Sequence, residues 1–208
     1  MAIDCICGFP SPILSFTHDY YDKFKDDLID HIYSVKDKTN SEYRSNNGGW
    51  QSPPVQLPER FTEYIFSNAA EVLELYLGEA YTAQVGNLWY NINPSGASND
   101  RHTHPGCDLA CCFYVKVPEG DSGDLELENP NHFGQFNLIM GLDEKLKEET
   151  RASHSLWFKP EEGATVIFPA NIMHRVMKNN TDQDRISIAW NMRVIDKPVD
   201  VLDNYELD

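Results

Sequence analysis

The hydrophobic pattern of the sequence changes abruptly at about residue 84, and this change limits the folds open to the chain. Before residue 84, apolar residues recur every three or four positions, as they do along one face of a helix. After it come short runs of β-branched and aromatic residues, separated by clusters of Pro, Gly, Asn and Asp. Helices followed by about six or more strands predict an α+β protein whose sheet forms a sandwich or a barrel.

The N-terminal part, residues 15–78, is predicted to contain two scaffold helices. The first is expected to be capped by Thr17, and the second to begin at Pro58 and to end at Gly78. The apolar stripe of the first helix is formed by Tyr21, Phe24, Leu28 and Ile32. The inward residues of the second are expected to be Phe61, Ile65, Val72 and Leu75.

Residues 84–194 are predicted to form the β-rich core. The strands are expected at Gln84–Ile92, Leu109–Val117, Asp124–Leu127, Ser155–Phe158, Ala164–Phe168 and Arg185–Val194. A chain of 208 residues can bury a full core within one domain, so residues 1–208 are expected to form a single domain.

Composition excludes several classes of partner. The formal net charge is −16, and an acidic chain of this kind repels the phosphate backbone, so no nucleic-acid partner is expected. The sequence lacks both a basic, apolar leader and the roughly 18 consecutive apolar residues of a membrane helix, so no membrane partner is expected either. Five cysteines in unpromising spacing predict reduced thiols and a cytoplasmic location, and the sequence leaves a homodimer open.

Two histidines two residues apart are the first candidates for chemistry. In an extended chain His102 and His104 project to the same face and can approach one point, although an exposed loop with two unrelated histidines has the same spacing. His174 follows a predicted strand and can return a third imidazole to that point. Three protein ligands on one side of a metal leave positions open for substrate and oxygen.

The last predicted strand carries an arginine on a face that is too polar for an ordinary core. Alternation places Arg185, Ser187 and Asn191 on one face, whereas Ile186, Ile188, Trp190 and Met192 form a hydrophobic face suited to packing against the helices. A buried arginine is costly unless it is paired, and a dicarboxylate ligand would pair it through a bidentate contact. The alternative is a surface strand with a solvated arginine. Elsewhere, Trp89 and Asn91 share a face that can line the same pocket.

The pattern His102-x-His104, His174 and Arg185-x-Ser187 resembles the double-stranded β-helix (jelly-roll) oxygenases that use Fe(II) and 2-oxoglutarate. The similarity covers roughly residues 84–194 and is greatest to a branch from marine bacteria and phages. The matching stretches are Trp89–Gly96, His102–Pro105, Tyr114–Gly120, Ser122–Leu125, Phe168–Pro169, His174–Val176 and Arg185–Asn191.

The resemblance implies a jelly-roll core with the N-terminal helices packed on one sheet. It further implies a 2-oxoglutarate-dependent dioxygenase that uses Fe(II), 2-oxoglutarate and O2, releases succinate and CO2, and hydroxylates a small molecule or an amino-acid or peptide side chain. By this resemblance His174 is the distal metal ligand, and Arg185 with Ser187 binds the far carboxylate of 2-oxoglutarate. Asn91 and Asn191 are assigned to the cosubstrate pocket.

One departure from the family pattern leaves the metal ligands open. Most members have His-x-Asp where this chain has His102-Thr103-His104. Three alternatives follow: His104 replaces the carboxylate, only two histidines bind, or Asp108 supplies an oxygen ligand. The i, i+2 geometry favours His102 with His104.

The same residues are also similar to the two motifs of cupins, a related jelly-roll class. Gly96, the histidine pair and Asp108 resemble the first motif, and Gly163, Pro169 and His174 resemble the second. A cupin-type metal enzyme or binding module without 2-oxoglutarate is therefore the alternative function, as is a β-sandwich whose histidines are incidental. Arg185-x-Ser187 favours the oxygenase because cupins do not require it.

Overall fold

The computed structural model describes residues 10–131 and 136–197. The helices are α1 (Lys25–Lys36), α2 (Glu59–Glu74), α3 (Phe136–Gly141) and α4 (Glu144–Thr150), with a 3-10 turn at Tyr21–Lys23. The strands are β1 (Leu14–Thr17), β2 (Asn46–Asn47), β3 (Trp50–Gln51), β4 (Tyr81–Asn93), β5 (Ser98–His102), β6 (Leu109–Lys116), β7 (Leu125–Glu128), β8 (Ser155–Phe158), β9 (Ala164–Pro169), β10 (His174–Val176) and β11 (Arg185–Asp196).

The strands form two antiparallel sheets. One sheet has the order β1-β9-β6-β11-β4-β3, and the other has the order β2-β5-β10-β7-β8. Side chains of both sheets meet in one apolar core, in which Tyr114, Val166 and Phe168 of the first sheet join Leu125 and Leu127 of the second. Two packed sheets with few helices give the predicted α+β architecture.

The helices cover the other face of the six-stranded sheet, as predicted. Leu28 and Ile32 of α1 and Ile65 of α2 pack in one cluster with Ile188 and Trp190 of β11, and all five are fully buried. The alternation predicted for the last strand is therefore confirmed. Its apolar residues contact the helices, so its other residues face the space between the sheets.

Three details of the N-terminal part differ from the prediction, and one is that α2 ends at Glu74 rather than at Gly78. Thr17 is not a helix cap: it ends β1, where it pairs with Ala164, and α1 begins only at Lys25. Leu75 does not face the core but is 79% exposed, because α2 presents the row Phe61, Ile65, Ala69 and Leu73 to the sheet and ends at Glu74. Residues four apart in a helix share a face, and Leu75 lies off that row.

The sequence pattern also missed the short strands β1, β2, β3, β5 and β10. All five are only two to five residues long, so pairing with a neighbouring strand rather than an apolar repeat defines them. Cys107, Cys111 and Cys112 are free thiols, whereas Cys5 and Cys7 lie outside the described residues. Within residues 10–131 and 136–197, no helix combines the length and the apolar character needed to cross a bilayer.

Candidate metal centre and adjoining pocket

Three histidines meet between the two sheets. One nitrogen from each of His102, His104 and His174 lies within 4.8 Å of the other two. Nε2 of His104 is 3.2 Å from Nε2 of His174. His174 is buried, and the other two are partly exposed, so the cluster has one protected side and one open side.

The five-stranded sheet sets the positions of these rings. His102 ends β5 and His174 begins β10, and the two are directly opposite in the antiparallel pairing. His104 follows two residues after β5 and is held by its backbone N–H, which donates to the carbonyl of Ala170 at 2.9 Å. The ring of Phe168 packs edge-on against that of His174, and the ring centroids of Trp89 and His104 are 5.7 Å apart.

Backbone carbonyls determine which ring nitrogen of His102 and of His174 is free to bind a metal. Nδ1 of His102 lies 2.7 Å from the carbonyl of Asp100, and Nδ1 of His174 lies 2.9 Å from that of Ile172. A carbonyl accepts only from an N–H, so in a neutral ring Nδ1 carries the proton and Nε2 keeps its lone pair. Metal-binding histidines are oriented by outer contacts of this kind.

The surroundings also keep the imidazoles unprotonated. Burial lowers the pKa of His104 to about 4 and that of His174 to about 3, with further lowering from the neighbouring histidines. Burial also lowers the pKa of His102, although the contact with the Asp100 carbonyl opposes this. The three rings are therefore neutral at pH 7.

The donor set fits a divalent transition metal. Imidazole suits iron, zinc, copper and nickel. Metal–imidazole bonds are about 2.1 Å long, so two nitrogens at right angles around one ion lie about 3 Å apart. The 3.2 Å between the Nε2 atoms of His104 and His174 agrees with this spacing.

Asp108, the alternative oxygen ligand, has a different set of contacts. Its carboxylate Oδ2 accepts from the backbone N–H of Val194 at 2.8 Å. Its backbone N–H donates to Met192, and its carbonyl accepts from Ala170. The carboxylate therefore ties the loop before β6 to the end of β11, and Asp108 is not in the histidine cluster.

Arg185 is buried between the sheets, with 2% of its surface exposed. Its Nη1 donates to the carbonyl of Gly123 at 2.7 Å and more weakly to that of Ser122, but its Nε has no hydrogen-bond partner. No carboxylate in the described part of the chain forms an ion pair with it, although Asp124 acts on it electrostatically. Burial lowers its pKa, so the guanidinium is a desolvated cation with spare donor capacity.

The carbonyl that holds Arg185 depends on a glycine. Gly123 has a φ of +91°, and a Cβ there would lie 2.2 Å from the carbonyl oxygen of Met177. Only glycine fits both the left-handed backbone and the close approach. The turn before β7 can therefore bring two carbonyls to one edge of the guanidinium.

Polar residues of two neighbouring strands lie level with Ser187, two residues along β11 from Arg185. Ser187 is directly opposite Asn91 of β4 and Tyr114 of β6, so these side chains share one level of the sheet. Oδ1 of Asn91 is buried without a partner. The Cys112 thiol contacts both Ser187 and Tyr114, and burial raises the pKa of both Cys112 and Tyr114.

Tyr114 and Cys112 carry no functional signal of their own in the sequence. They alternate with core residues in an apolar run that is typical of a buried strand. Their closeness to Arg185 follows only from the register of β6 on β11. Neither residue type nor spacing in the sequence signals it.

A cavity of about 560 Å3 opens beside the histidines. His102, His104, Trp89 and Asn191 line it, so these four predicted pocket residues are brought together, and Oδ1 of Asn191 has no partner. The N-terminal part also contributes residues that the sequence did not indicate, which are Glu42, Arg44, Ser45, Gln51, Ser52 and Pro54. Two packed sheets that enclose a histidine cluster and a buried arginine define a jelly-roll metalloprotein.

A family model described as "Putative 2OG-Fe(II) oxygenase" matches residues 87–191, which include the three histidines and Arg185. The chain belongs to this family of Fe(II)- and 2-oxoglutarate-dependent oxygenases. Its cofactor and cosubstrates are accordingly Fe(II), 2-oxoglutarate and O2, and the histidine cluster fits the iron. No curated protein sequence matches the chain.

Solved structures share the fold at low sequence identity. A prolyl-4-hydroxylase of Pseudomonas putida is 14% identical with a TM-score of 0.57, over 87% of this chain and 92% of that one. A prolyl hydroxylase of Trichoplax adhaerens, solved with a hypoxia-inducible-factor peptide fragment, is 13% identical with a TM-score of 0.60, over 86% and 82%.

The epimerase SnoN from nogalamycin biosynthesis, in complex with Fe3+, α-ketoglutarate and nogalamycin RO, is 10% identical with a TM-score of 0.62, over 95% of this chain and 88% of that one. These likenesses confirm the double-stranded β-helix core. The family match favours the oxygenase over the cupin alternative.

Proposed function

We propose that this oxygenase hydroxylates a polar small molecule or an amino-acid or peptide side chain. In the balanced reaction, one oxygen atom of O2 enters a substrate C–H bond, and the other enters the succinate formed as 2-oxoglutarate loses CO2. Bound iron supplies the oxygen activation. The chain itself supplies metal ligands, a carboxylate clamp and a cavity.

The metal ligands are proposed to be His102, His104 and His174. Two observations support this assignment. One nitrogen from each ring lies close to the other two, and the Nε2 atoms of His102 and His174 are free to bind a metal because their Nδ1 atoms donate to backbone carbonyls. The open side of the cluster faces the cavity, where a substrate can approach. The contact of Asp108 with Val194 supports a structural role for that carboxylate.

The buried, unpaired Arg185 is the observation that carries the cosubstrate assignment. We assign the far carboxylate of 2-oxoglutarate to Arg185, with the Ser187 hydroxyl adding a hydrogen bond. A carboxylate there would supply the ion pair that the buried guanidinium otherwise lacks. Asn91, opposite Ser187, is proposed to donate to the same cosubstrate, and Asn191 to contact it nearer to the cavity.

The cavity lining supports a polar substrate. Gln51, Asn87 and Asn191 present carboxamides, and Trp89 offers an aromatic surface. The charged residues at the cavity are two acids and two arginines, which are Glu42, Asp100, Arg44 and Arg101. Carboxamides both donate and accept hydrogen bonds, so this lining suits a substrate with hydroxyl or amide groups.

We further propose that residues 1–208 form one cytoplasmic domain. The described thiols Cys107, Cys111 and Cys112 are unpaired, which supports a reducing compartment. The cavity draws residues from the N-terminal part as well as from the β-rich core, which supports a single folding unit.

An anaerobic titration tests the proposal. Fe(II) should bind first with one site per chain, and 2-oxoglutarate should then bind the Fe(II)-loaded protein much more tightly than the metal-free protein. On admission of O2 without substrate, slow formation of succinate is expected. Absence of 2-oxoglutarate binding to the Fe(II)-loaded protein would contradict the assignment of Arg185.

A further inference from the structure

The ribbon formed by β4 and β11 extends beyond the rest of the six-stranded sheet. β6 pairs with β11 only as far as Met192, and β3 pairs with β4 only at Asn91 and Ile92. The segment 81–87 of β4 therefore has β11 on one side and no strand on the other. Apart from bonds to β11, no backbone hydrogen bond joins residues 82–87 to the described part of the chain.

This free edge lacks the charged and proline residues that usually prevent pairing, and its regular part runs up to a bulge at Gly86–Asn87. Exposed edges are commonly guarded by charged side chains, especially lysine, or by proline. From Ala80 to Asn99 the sequence contains no Asp, Glu, Lys or Arg, and no proline lies within residues 81–87. In a chain with a net charge of −16, two copies that pair along this edge bring no carboxylate of the edge strand itself face to face, and the residue across from Gln84 is the cation Arg193.

The ribbon also exposes apolar side chains on one side. Leu88 pairs with Trp190 and Val85 with Met192, so β4 carries one extra residue at Gly86–Asn87. This bulge turns Val85 and Ala83 toward α2, where they line a groove of about 180 Å3. Tyr81 remains 48% exposed and Val85 38% exposed.

The exposed apolar residues continue onto the end of α2. Leu75 and Tyr76 are 79% and 63% exposed just after the helix, and Ile195 of β11 is 37% exposed. An apolar patch beside an unpaired strand edge is characteristic of an interaction surface. A partner that extends the sheet would cover both at once.

We propose that the chain forms a twofold dimer in which residues 82–86 of two copies pair antiparallel. A twofold interface uses the same patch on both copies, which an antiparallel edge satisfies. Centring the axis on Gln84 pairs the five residues 82–86, about 17 Å of strand at 3.4 Å per residue, and the ladder ends where the bulge at Gly86–Asn87 bends the strand. Thr82 then lies opposite Gly86 of the partner copy, and the two six-stranded sheets become one.

The proposal is independent of the assignment of the metal and cosubstrate residues. Gln84 is exposed and lies outside the cavity. Its variants should therefore leave the binding of Fe(II) and 2-oxoglutarate unchanged. If the protein does not dimerise, the oxygenase assignment is unaffected. If the metal or cosubstrate residues are assigned wrongly, the dimer proposal is unaffected.

Sedimentation velocity of the full chain is the test. A species of twice 23.8 kDa should appear as the protein concentration rises over about 1 to 100 µM. Gln84→Lys should weaken association by about tenfold or more, because it places two cations at the axis beside Arg193, the cross-strand partner of Gln84. Gln84→Thr, which is neutral and suited to a strand, should retain the dimer.

Two further samples make the result specific. Gln183→Lys introduces the same charge at an exposed glutamine away from the ribbon and should not affect the dimer. Mixing Gln84→Lys with Gln84→Glu should restore a dimer that contains one copy of each variant, because opposite charges then face each other at the axis.

Two outcomes would overturn the proposal. One is a monomer for the full chain at the highest concentration. The other is a dimer that Gln84→Lys does not weaken, which would place the interface elsewhere.

Discussion

His102 and His174 lie directly opposite each other in the pairing of β5 with β10, and their ring centroids are 4.2 Å apart. The two residues are far apart in the sequence, so the sheet alone brings them together. A slip of one residue in a strand turns every side chain to the other face. The proposed metal centre therefore depends on the register of two short strands, and bound metal should in turn stabilise that register.

His174→Ala is expected to abolish Fe(II) binding while the protein remains folded. The two remaining histidines come from the same strand end and cannot enclose an ion alone. Loss of a direct ligand should exceed the roughly 10–100-fold loss seen when an outer contact is removed. Anaerobic calorimetric titration with Fe(II), alongside far-UV circular dichroism, measures both effects. Full iron occupancy in the purified variant would show that His174 is not a ligand.

His102→Ala should behave like His174→Ala, whereas Asp108→Asn should change iron affinity by less than about tenfold. The carboxylate of Asp108 is bound to the backbone N–H of Val194, and an asparagine oxygen can accept the same hydrogen bond. The two variants therefore serve as controls for each other in the same titration. The opposite pattern, with Asp108→Asn losing the metal, would identify the carboxylate as the ligand.

The stability of the protein should fall between about pH 6.5 and pH 4, partly because of His18. Burial lowers the pKa of His18 to about 4 from its ordinary 6.5, and its ring nitrogens contact Thr165 and Asn68. A lowered folded-state pKa means that the unfolded chain binds the proton more readily. The contribution is therefore present above pH 6.5 and is lost as the pH falls toward 4, by about 1–3 kcal/mol.

Urea unfolding of the metal-free protein at several pH values between 7 and 4 measures this loss. His18→Gln retains hydrogen-bonding groups near Thr165 and Asn68 but cannot be protonated, so its stability should vary less over this range. The histidines of the cluster titrate in both proteins and cancel in the difference. Equal pH dependence for the two proteins would mean that His18 is not the source.

Sequence periodicity predicted the long elements well and the short ones poorly. Strands β6 and β9 and the apolar face of β11 match the predictions because each buries several apolar side chains, and β8 matches because Leu156 and Phe158 pack against the core. The polar strands β5 and β10 carry no such pattern, and they form because neighbouring strands offer hydrogen-bond partners. The prediction that Leu75 faces the core is wrong because one apolar residue near a helix end does not fix the helix register.

The residues of the candidate site also fall into two groups, those that a local sequence pattern indicates and those that only the pairing of distant strands brings together. The i, i+2 spacing of His102 and His104 and the alternation that turns Arg185 inward are local properties, so the sequence could indicate them. Tyr114 and Asn91 reach the level of Ser187 only through the pairing of three strands that are distant in the chain. Gln51 and Arg44 enter the cavity because the segment before α2 folds back along β4 and β5. Such contacts depend on the register and on chain reversals that no local pattern encodes.

Arg185→Leu is expected to weaken 2-oxoglutarate binding without affecting iron. A bidentate, charge-assisted contact in a desolvated pocket is worth about 2–5 kcal/mol when it is removed, which is roughly 30- to several-thousand-fold in affinity. Iron affinity should not change, because Arg185 is not in the histidine cluster. Arg185→Lys should recover only part of the affinity, since an ammonium group cannot form the bidentate contact. Calorimetric titration of the Fe(II)-loaded protein with 2-oxoglutarate gives both values.

Arg193→Leu is the matched control for this prediction. Arg193 lies on the same strand and carries the same charge, but it is exposed, and its side chain donates to the backbone carbonyl of Gly106. Its loss should change 2-oxoglutarate affinity little, because an exposed charge is screened by solvent and salt. Circular dichroism must show that Arg185→Leu is folded, since that variant also loses the hydrogen bonds to Ser122 and Gly123. If the folded variant binds 2-oxoglutarate as the unaltered protein does, Arg185 is a structural cation held by two carbonyls and the cosubstrate lies elsewhere.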